Sequence, residues 1–316
     1  MANASVGTIN LGATAVRVTP IGIGTWSWGD SIVWKYGSGY AEQEIEDAFQ
    51  TALRSGVTFF DSAEMYGRGK SEKFLGQFVR ASGAPVTVAT KFMPLPWRLT
   101  KNSLLDALRR SLDRLGMERV DLYQIHWPLH LAGMRRWMEG LAEAVDRKLA
   151  LAVGVSNYSA AQMRRAYEEL KKRGVPLASN QVEYSLVHRA PERNGVLDAC
   201  RDLNVKLIAY SPIGMGMLSG KYSLSNRPPG YRGRRYGRAF LERLGPLLVV
   251  LKETGEKHGG KTSAQVAINW TMARGAVPIP GAKTGAQARE LVGAVGWSLS
   301  ENDSSRLDEA SRLVQR

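Results

Sequence analysis

Hydrophobic and polar positions follow two periods along this chain, and the periods take turns. Short β-type runs, "VTFFD", "VTVATK", "VDLYQIH", "LAVGVSN", "ASNQVEY", "KLIAYSP" and "AVPIPG", are separated by stretches of helical period. Two of those stretches, "AEQEIEDAFQTALRSG" and "SLLDALRRSLDRLG", end in glycine, the residue that accepts the left-handed turn closing many helices. Strands alternating with helices of about ten to fifteen residues predict parallel pairing through crossover helices. The seven clear runs, with a weaker eighth at "AVGW", predict a (β/α)8 TIM barrel. Ahead of it, "TINLG" and "TAVRVTPIGIG" read as an N-terminal β-hairpin and its exit.

The competing architecture is an open doubly wound sheet. For a dinucleotide it needs G-x-G-x-x-G directly after the first strand and opening a helix. The nearest match, "GIGTWSWG", misplaces the third glycine and sets two tryptophans where the helix should begin. The barrel is preferred. No linker or low-complexity block divides residues 1–316, so one barrel domain is expected, with longer loops at Trp28 to Tyr40, Pro94 to Thr100 and Leu218 to Phe240.

Composition narrows the setting. With 316 residues and 44% hydrophobic content, the chain can bury a sizeable core. Its single cysteine, Cys200, lies on the predicted buried face of a helix and cannot form an internal disulfide, which fits a reducing compartment. "MANASVGTIN" has no apolar signal core and no window reaches membrane-spanning length. The expectation is no membrane and a cytoplasmic location, or the plastid stroma if a transit peptide has been removed. The net charge of +14 favours an anionic partner. Only "RPPGYRGRRYGRAF" concentrates basic and aromatic residues, and no RNA-binding signature accompanies it. A phosphate-bearing small ligand is expected rather than nucleic acid; monomer and homo-oligomer are not distinguished.

Chemistry gathers at the strand ends. Asp61 and Tyr66 lie in "FFDSAEMYG", Lys91 in "VATKF" and His126 in "YQIHWP". In a barrel the C-terminal strand ends meet around one mouth, where active sites lie. An unperturbed phenol has a pKa of about 10 and is a weak acid at neutral pH. A cation at ~4 Å and an effective dielectric of about 20 contributes on the order of 4 kcal/mol, roughly three pKa units before desolvation offsets it. Lys91 can supply that charge, Asp61 can keep Lys91 charged, and His126 can polarise a substrate carbonyl. This set donates a proton and needs a hydride source.

The rest of the mouth suits an extended nicotinamide cofactor. Ser156, Asn157 and Gln181 match a carboxamide, and Tyr210 offers a stacking face. "SPIGMGMLSGK" supplies backbone donors for a pyrophosphate. "IPGAKTGAQARE" runs into a helix N-terminus, with Lys283 and Thr284 placed for a 2′-phosphate. The tryptophans at 26, 28, 34, 97 and 127 are candidates for an apolar substrate wall, whereas Trp270 reads as helix core. A metal site is not expected, because the four histidines (126, 130, 188 and 258) are dispersed.

With "GIGTW", "FFDSAEMYG", "ATKF", "VDLYQIHWP", "AVGVSNYS", "SNQVEYS", "LIAYSPIGMGMLSGKY" and "VPIPGAK", the chain resembles the aldo-keto reductase family from about Leu11 to Leu307. "GTWSWGD", "LPWRLT", "KKRGVPLASNQV" and "VGWSLS" are similar to a plant and cyanobacterial branch that includes pyridoxal-reducing and plastid enzymes. The resemblance implies NADPH-dependent, metal-free reduction of aldehydes or ketones, with Tyr66 as proton donor and Asp61, Lys91 and His126 completing a tetrad. It implies that Thr25 and Trp26 border the nicotinamide, that Ser156, Asn157 and Gln181 hold its amide and that Tyr210 stacks on it. Ser211, Pro212, Ile213, Leu218 and Lys221 would line the pyrophosphate path. Gly281, Lys283, Thr284, Gln287 and Glu290 would surround the 2′-phosphate end, with Arg232 a phosphate clamp. On the residues alone, Trp28, Trp97 and Trp127 are the candidates to face the substrate. Leu291 stands where the family usually carries an adenine-contacting Asn. A redox-sensing NADPH-binding subunit with slow turnover would keep the same four residues, so that alternative stays open.

Overall fold

The computed structural model describes residues 6–129 and 133–315; His130 and the first five residues lie outside them. The expected hairpin is present as β1 (Ile9–Asn10) and β2 (Arg17–Val18), paired antiparallel. Eight strands follow: β3 (Ile23–Gly24), β4 (Phe59–Asp61), β5 (Thr87–Phe92), β6 (Val120–Ile125), β7 (Ala150–Ser156), β8 (Leu177–Glu183), β9 (Lys206–Tyr210) and β10 (Val277–Ile279). They pair in parallel and in chain order, and a Gly24–Gly281 bridge brings the last strand back to the first. Gly22 and Gly24 donate to the carbonyls of Pro278 and Pro280 at 2.9 and 3.0 Å, closing the barrel.

The eighth strand is β3, not "AVGW". Residues 294–297 form a turn after the helix Gly285–Val292. β3 is two residues long, follows Gly22 and has Gly24 as its second residue, so it carries almost no apolar signal. The glycines are required by close approach: a Cβ on Gly22 would stand 2.5 Å from the Phe59 ring, and one on Gly24 2.9 Å from the Ile279 carbonyl oxygen. The expected helices run over Glu42–Arg54 and Lys101–Leu115, the latter closed by Gly116 at φ 63°. The segment expected as a loop from Leu218 to Phe240 contains a short helix, Gly230–Arg235, and the start of the helix Arg238–Lys257.

Period-two alternation sorts the side chains. Phe60, Val88, Tyr123 and Val153 face outward and pack under the helices, against Phe49, Leu75, Leu108 and Leu141. Phe59, Ala89, Leu122, Ala152, Ile208 and Val277 face inward, and Leu11 and Val18 of the hairpin join them. The hairpin thereby plugs the N-terminal end with apolar residues. Two positions further along β4, β5 and β6, the same inward rows present Asp61, Lys91 and Gln124. The barrel interior is apolar below and polar above. That change of layer places the site.

Candidate active site

All three inward groups of the polar layer are buried. Lys91 Nζ makes a short ion pair with Asp61 Oδ1 and donates to the Ser62 carbonyl at 2.7 Å. The Tyr66 hydroxyl is 3.4 Å from the same ammonium, which also lies 4.9 Å from the phenol ring centroid. Asp61 Oδ2 accepts from Gln181 Nε2 at 2.8 Å and Gln124 Nε2 at 3.2 Å. Both oxygens are therefore satisfied, as a buried carboxylate requires. Gly154 leaves room for this layer: a Cβ there would sit 2.3 Å from Ser179 Oγ and 3.2 Å from Gln124 Cγ.

Tyr66 is presented by a tight turn. Gly67 has φ 55°, and a Cβ on it would meet the Gly29 carbonyl at 2.8 Å. Glu64, in the same turn, accepts from Met93 N at 2.7 Å, and both its oxygens are gripped by Arg98 from the loop after β5. Burial pushes the phenol pKa above its ordinary value, and the Lys91 charge pulls it back. The net direction is up, so the expectation of a phenol more acidic than usual is corrected: desolvation outweighs the lysine. The hydroxyl is then fully protonated at neutral pH, the state a proton donor needs. Lys91 has its pKa lowered by burial and raised by Asp61 and Tyr66, with a net rise, so it is charged.

His126 sits across from Tyr66, its ring centroid 5.7 Å away and edge-on. Burial and the nearby Lys91 push its pKa down to about 3, so the imidazole is neutral. Its Nδ1 is buried with no partner among the described residues. Beside it, Asn157 Nδ2 donates to the His126 carbonyl at 3.0 Å and to Ser156 Oγ at 3.1 Å, and Tyr210 donates to Asn157 Oδ1 at 3.0 Å. Ser156 donates to the Gln181 carbonyl at 2.8 Å. The three residues expected at a carboxamide and Tyr210, expected to stack, thus lie at the same mouth as the tetrad, with the Gln181 side chain held by Asp61 and its carbonyl by Ser156.

A second cluster lies at the end of the barrel loops. Lys283 donates to the Trp34 carbonyl at 3.0 Å and lies 4.4 Å from the Tyr40 ring centroid. Burial, then Arg232 and Lys221, push its pKa down to about 8. Three cations therefore crowd one region, opposed by Asp30. Thr284 caps the helix Gly285–Val292, and Gln287 accepts from Lys283 N at 2.9 Å. A cleft of about 300 Å³ is lined by Trp34, Tyr40, Tyr231, Arg232, Lys283 and Thr284, among others. Excess positive charge around a cleft fits the phosphates of a dinucleotide. Arg232, Lys283, Thr284 and Gln287 line that cleft, and Lys221 is near enough for its charge to act on Lys283; Gly281 and Glu290 flank them along the chain, exposed and half-buried. Ser211, Pro212 and Ile213 lead from Tyr210 into the loop, with Ser211 at φ 51°.

Two tryptophans are corrected, and two further expected positions are buried. Trp28 is fully buried, packs edge-on to Phe78 at 5.8 Å and donates to the Ala282 carbonyl at 2.8 Å, so it is core rather than substrate wall. Thr25 is also fully buried, its hydroxyl spent on Ser71 Oγ and the Asp61 carbonyl. Leu218 lies in the core and shows no side-chain surface to a ligand. Trp34 faces the cations instead of the substrate mouth. Trp26 lies between, 5.5 Å from Trp34 and 6.3 Å from Tyr66. Trp127 stacks beside His126 at 6.5 Å, and Trp97 stands exposed on the loop after β5. Trp270 and Cys200 are buried as expected, the thiol pushed up to about 12. Leu291 is buried in the core. Gln124 and the Glu64–Arg98 clamp were missed; a polar residue at an inward strand position was the available signal for the first.

A parallel eight-stranded barrel with an Asp–Lys–Tyr–His group at its C-terminal mouth defines a carbonyl-reducing class of oxidoreductase. The Aldo/keto reductase family profile matches residues 20–312, and the chain belongs to that family. It is an NADP-dependent oxidoreductase acting on small carbonyl compounds. The chain is 41% identical over 311 residues to the chloroplastic pyridoxal reductase of Arabidopsis thaliana, covering 94% of this chain and 84% of that one. An aldo-keto reductase of Schizosaccharomyces pombe labelled NADP(+) is 31% identical, with 86% and 84% covered. Among solved structures, a thermostable aldo-keto reductase in complex with the inhibitor epalrestat superposes with a TM-score of 0.78 at 28% identity, covering 96% of this chain and 99% of that one. No helix among the described residues is long and apolar enough to cross a membrane.

Proposed function

We propose that this protein reduces aldehydes or ketones to alcohols with Tyr66 as the proton donor, and that pyridoxal is among its substrates. The observation that carries the reading is the buried Lys91 ammonium, joined to Asp61 and 3.4 Å from the Tyr66 hydroxyl. NADPH, when bound, supplies the hydride. Tyr66 gives its proton to the carbonyl oxygen as negative charge builds there, and the phenolate left behind is met by the fixed ammonium. Asp61 keeps that ammonium charged in a dry site, and the two glutamine amides hold the carboxylate in place. His126, neutral at working pH, donates an N–H toward the same oxygen and orients it. Donors fixed before the reaction stabilise charge without reorganisation. Ser156, Asn157, Gln181 and Tyr210 hold the nicotinamide, and Lys283 with Arg232 holds the phosphates.

Pyridoxal rests on the Arabidopsis relative and on the aromatic mouth, where Trp26, Trp127 and Trp97 offer faces to a flat ring. The test follows NADPH oxidation with pyridoxal, aromatic aldehydes and short aldehydes. Tyr66→Phe is expected to lower kcat by roughly 10²- to 10⁴-fold while NADPH binding by calorimetry stays within twofold. Turnover unchanged in that variant refutes the donor role. Uniformly slow turnover with tight NADPH binding would instead support a redox-sensing subunit.

A further inference from the structure

The first βα loop does more than join β3 to the helix Glu42–Arg54. Asp30 Oδ1 accepts from the backbone N–H groups of Val33 at 2.7 Å and Trp34 at 3.2 Å, a side-chain turn that fixes where Trp34 stands. The Trp34 ring lies 4.9 Å from the Lys283 ammonium and 5.6 Å from the Arg232 guanidinium. Its own carbonyl holds Lys283. Yet its indole Nε1 is buried with no hydrogen-bond partner among the described residues. Burying an indole N–H unpaired costs about 1–3 kcal/mol, and an indole N–H can only donate. An unpartnered donor on a ring that two cations approach and that lines an open cleft calls for an anionic acceptor. The Ser27 hydroxyl, from the same loop, is likewise buried and unpartnered, 4.0 Å from where a Cβ on Gly281 would stand.

We propose that Trp34 is a cofactor-binding residue whose indole N–H donates to the 2′-phosphate of NADPH, while its ring keeps Lys283 and Arg232 at that phosphate. This rests on the NADPH reading above and adds a donor from a loop that neither the strand-end pattern nor the phosphate-loop motif implicates. The choice of the 2′-phosphate follows from the lining: Lys283, Thr284 and Gln287 share the cleft with Trp34. A loop that binds the adenosine end also covers it, so loss of the contact speeds dissociation.

The test is titration calorimetry with NADPH, NADH and 2′,5′-ADP, together with NADPH dissociation by stopped flow. Trp34→Phe keeps an aromatic face and removes the N–H. It is expected to weaken NADPH and 2′,5′-ADP by on the order of 10- to 100-fold, as for a hydrogen bond to a charged group, and to leave NADH within twofold. Trp34→Leu, which removes the face as well, weakens both phosphorylated ligands further. An unchanged melting temperature in Trp34→Phe ties the effect to the contact rather than to folding. Equal affinity of wild type and Trp34→Phe for 2′,5′-ADP overturns the proposal, and so does an equal loss for NADH. Wild-type protein that binds no NADPH would sink the underlying reading along with it.

Discussion

The two ends of this site are built on opposite principles. At the chemical end, charge is matched inside the protein: one buried lysine, one buried aspartate and two amides that saturate the carboxylate. At the phosphate end, Lys221, Arg232 and Lys283 crowd together with Asp30 as the opposing charge, and the donors of Ser27 and Trp34 have no partner. The first end stands largely on strands; the second stands on loops and a short helix. Catalytic geometry must hold within tenths of an ångström before substrate arrives, so its electrostatics are closed. A binding cradle is completed by its ligand, so its electrostatics are left open.

The sharpest way to break this contrast is to unbalance each end in turn. Lys91→Met leaves Asp61 buried without its counter-charge, and removing one partner of a buried pair costs about 3–5 kcal/mol. The expected result is a large drop in thermal stability along with loss of turnover. Adding Asp61→Asn should restore most of the stability and none of the activity. At the other end, Arg232→Ala should leave the melting temperature unchanged or slightly higher, because it relieves repulsion, while weakening NADPH. Thermal melts of the three proteins check this. If Arg232→Ala destabilises as much as Lys91→Met, the charges at the far end are paired after all and the comparison fails.

A smaller effect sharpens the closed end. Gln124 is fully buried and donates to Asp61, through which it acts as a positioning residue. Two amide donors stabilise the carboxylate, and losing one raises the proton affinity of the Asp61–Lys91–Tyr66 set. Gln124→Leu should therefore lower kcat roughly tenfold, the worth of one charge-assisted hydrogen bond, with KM little changed. The alkaline limb of the kcat/KM profile should move to higher pH, since the phenol becomes a weaker acid. A lower rate with an unmoved limb would assign Gln124 to packing alone.

What the sequence made legible follows from the same contrast. Asp61 and Lys91 were readable because reactive residue types stood at the C-terminal ends of apolar strand-like runs, and in a barrel those ends meet at one mouth. Gln124 sat in the same register, but an amide attracts no chemical suspicion until its acceptor is seen. β3 escaped because a two-residue strand that is half glycine, and follows another glycine, has no hydrophobic pattern. The tryptophans were countable but had no direction: Trp28 went to the core and Trp34 to the cations, which only tertiary packing decides. The phenol shift was misjudged because charge separation can be guessed from a motif, whereas the depth of burial cannot.

The smallest effect tests the open end through pH. Lys283 has its pKa pushed down to about 8, below the ordinary lysine value of about 10.4. Below pH 8 it is an ammonium and binds a phosphate; above it, the free protein holds it neutral. Phosphate binding favours the charged form, so binding at high pH must take up a proton. NADPH affinity should therefore fall severalfold as pH rises from 7 to 9, with proton uptake visible as a buffer-dependent enthalpy in calorimetry. NADH, lacking the 2′-phosphate, should show a much shallower dependence, and Lys283→Arg should flatten the NADPH curve because a guanidinium stays charged throughout. Lys283→Glu should reverse the preference toward NADH. A pH-independent NADPH affinity in the wild type would mean that the ammonium is already compensated, and the open end would be closed like the other.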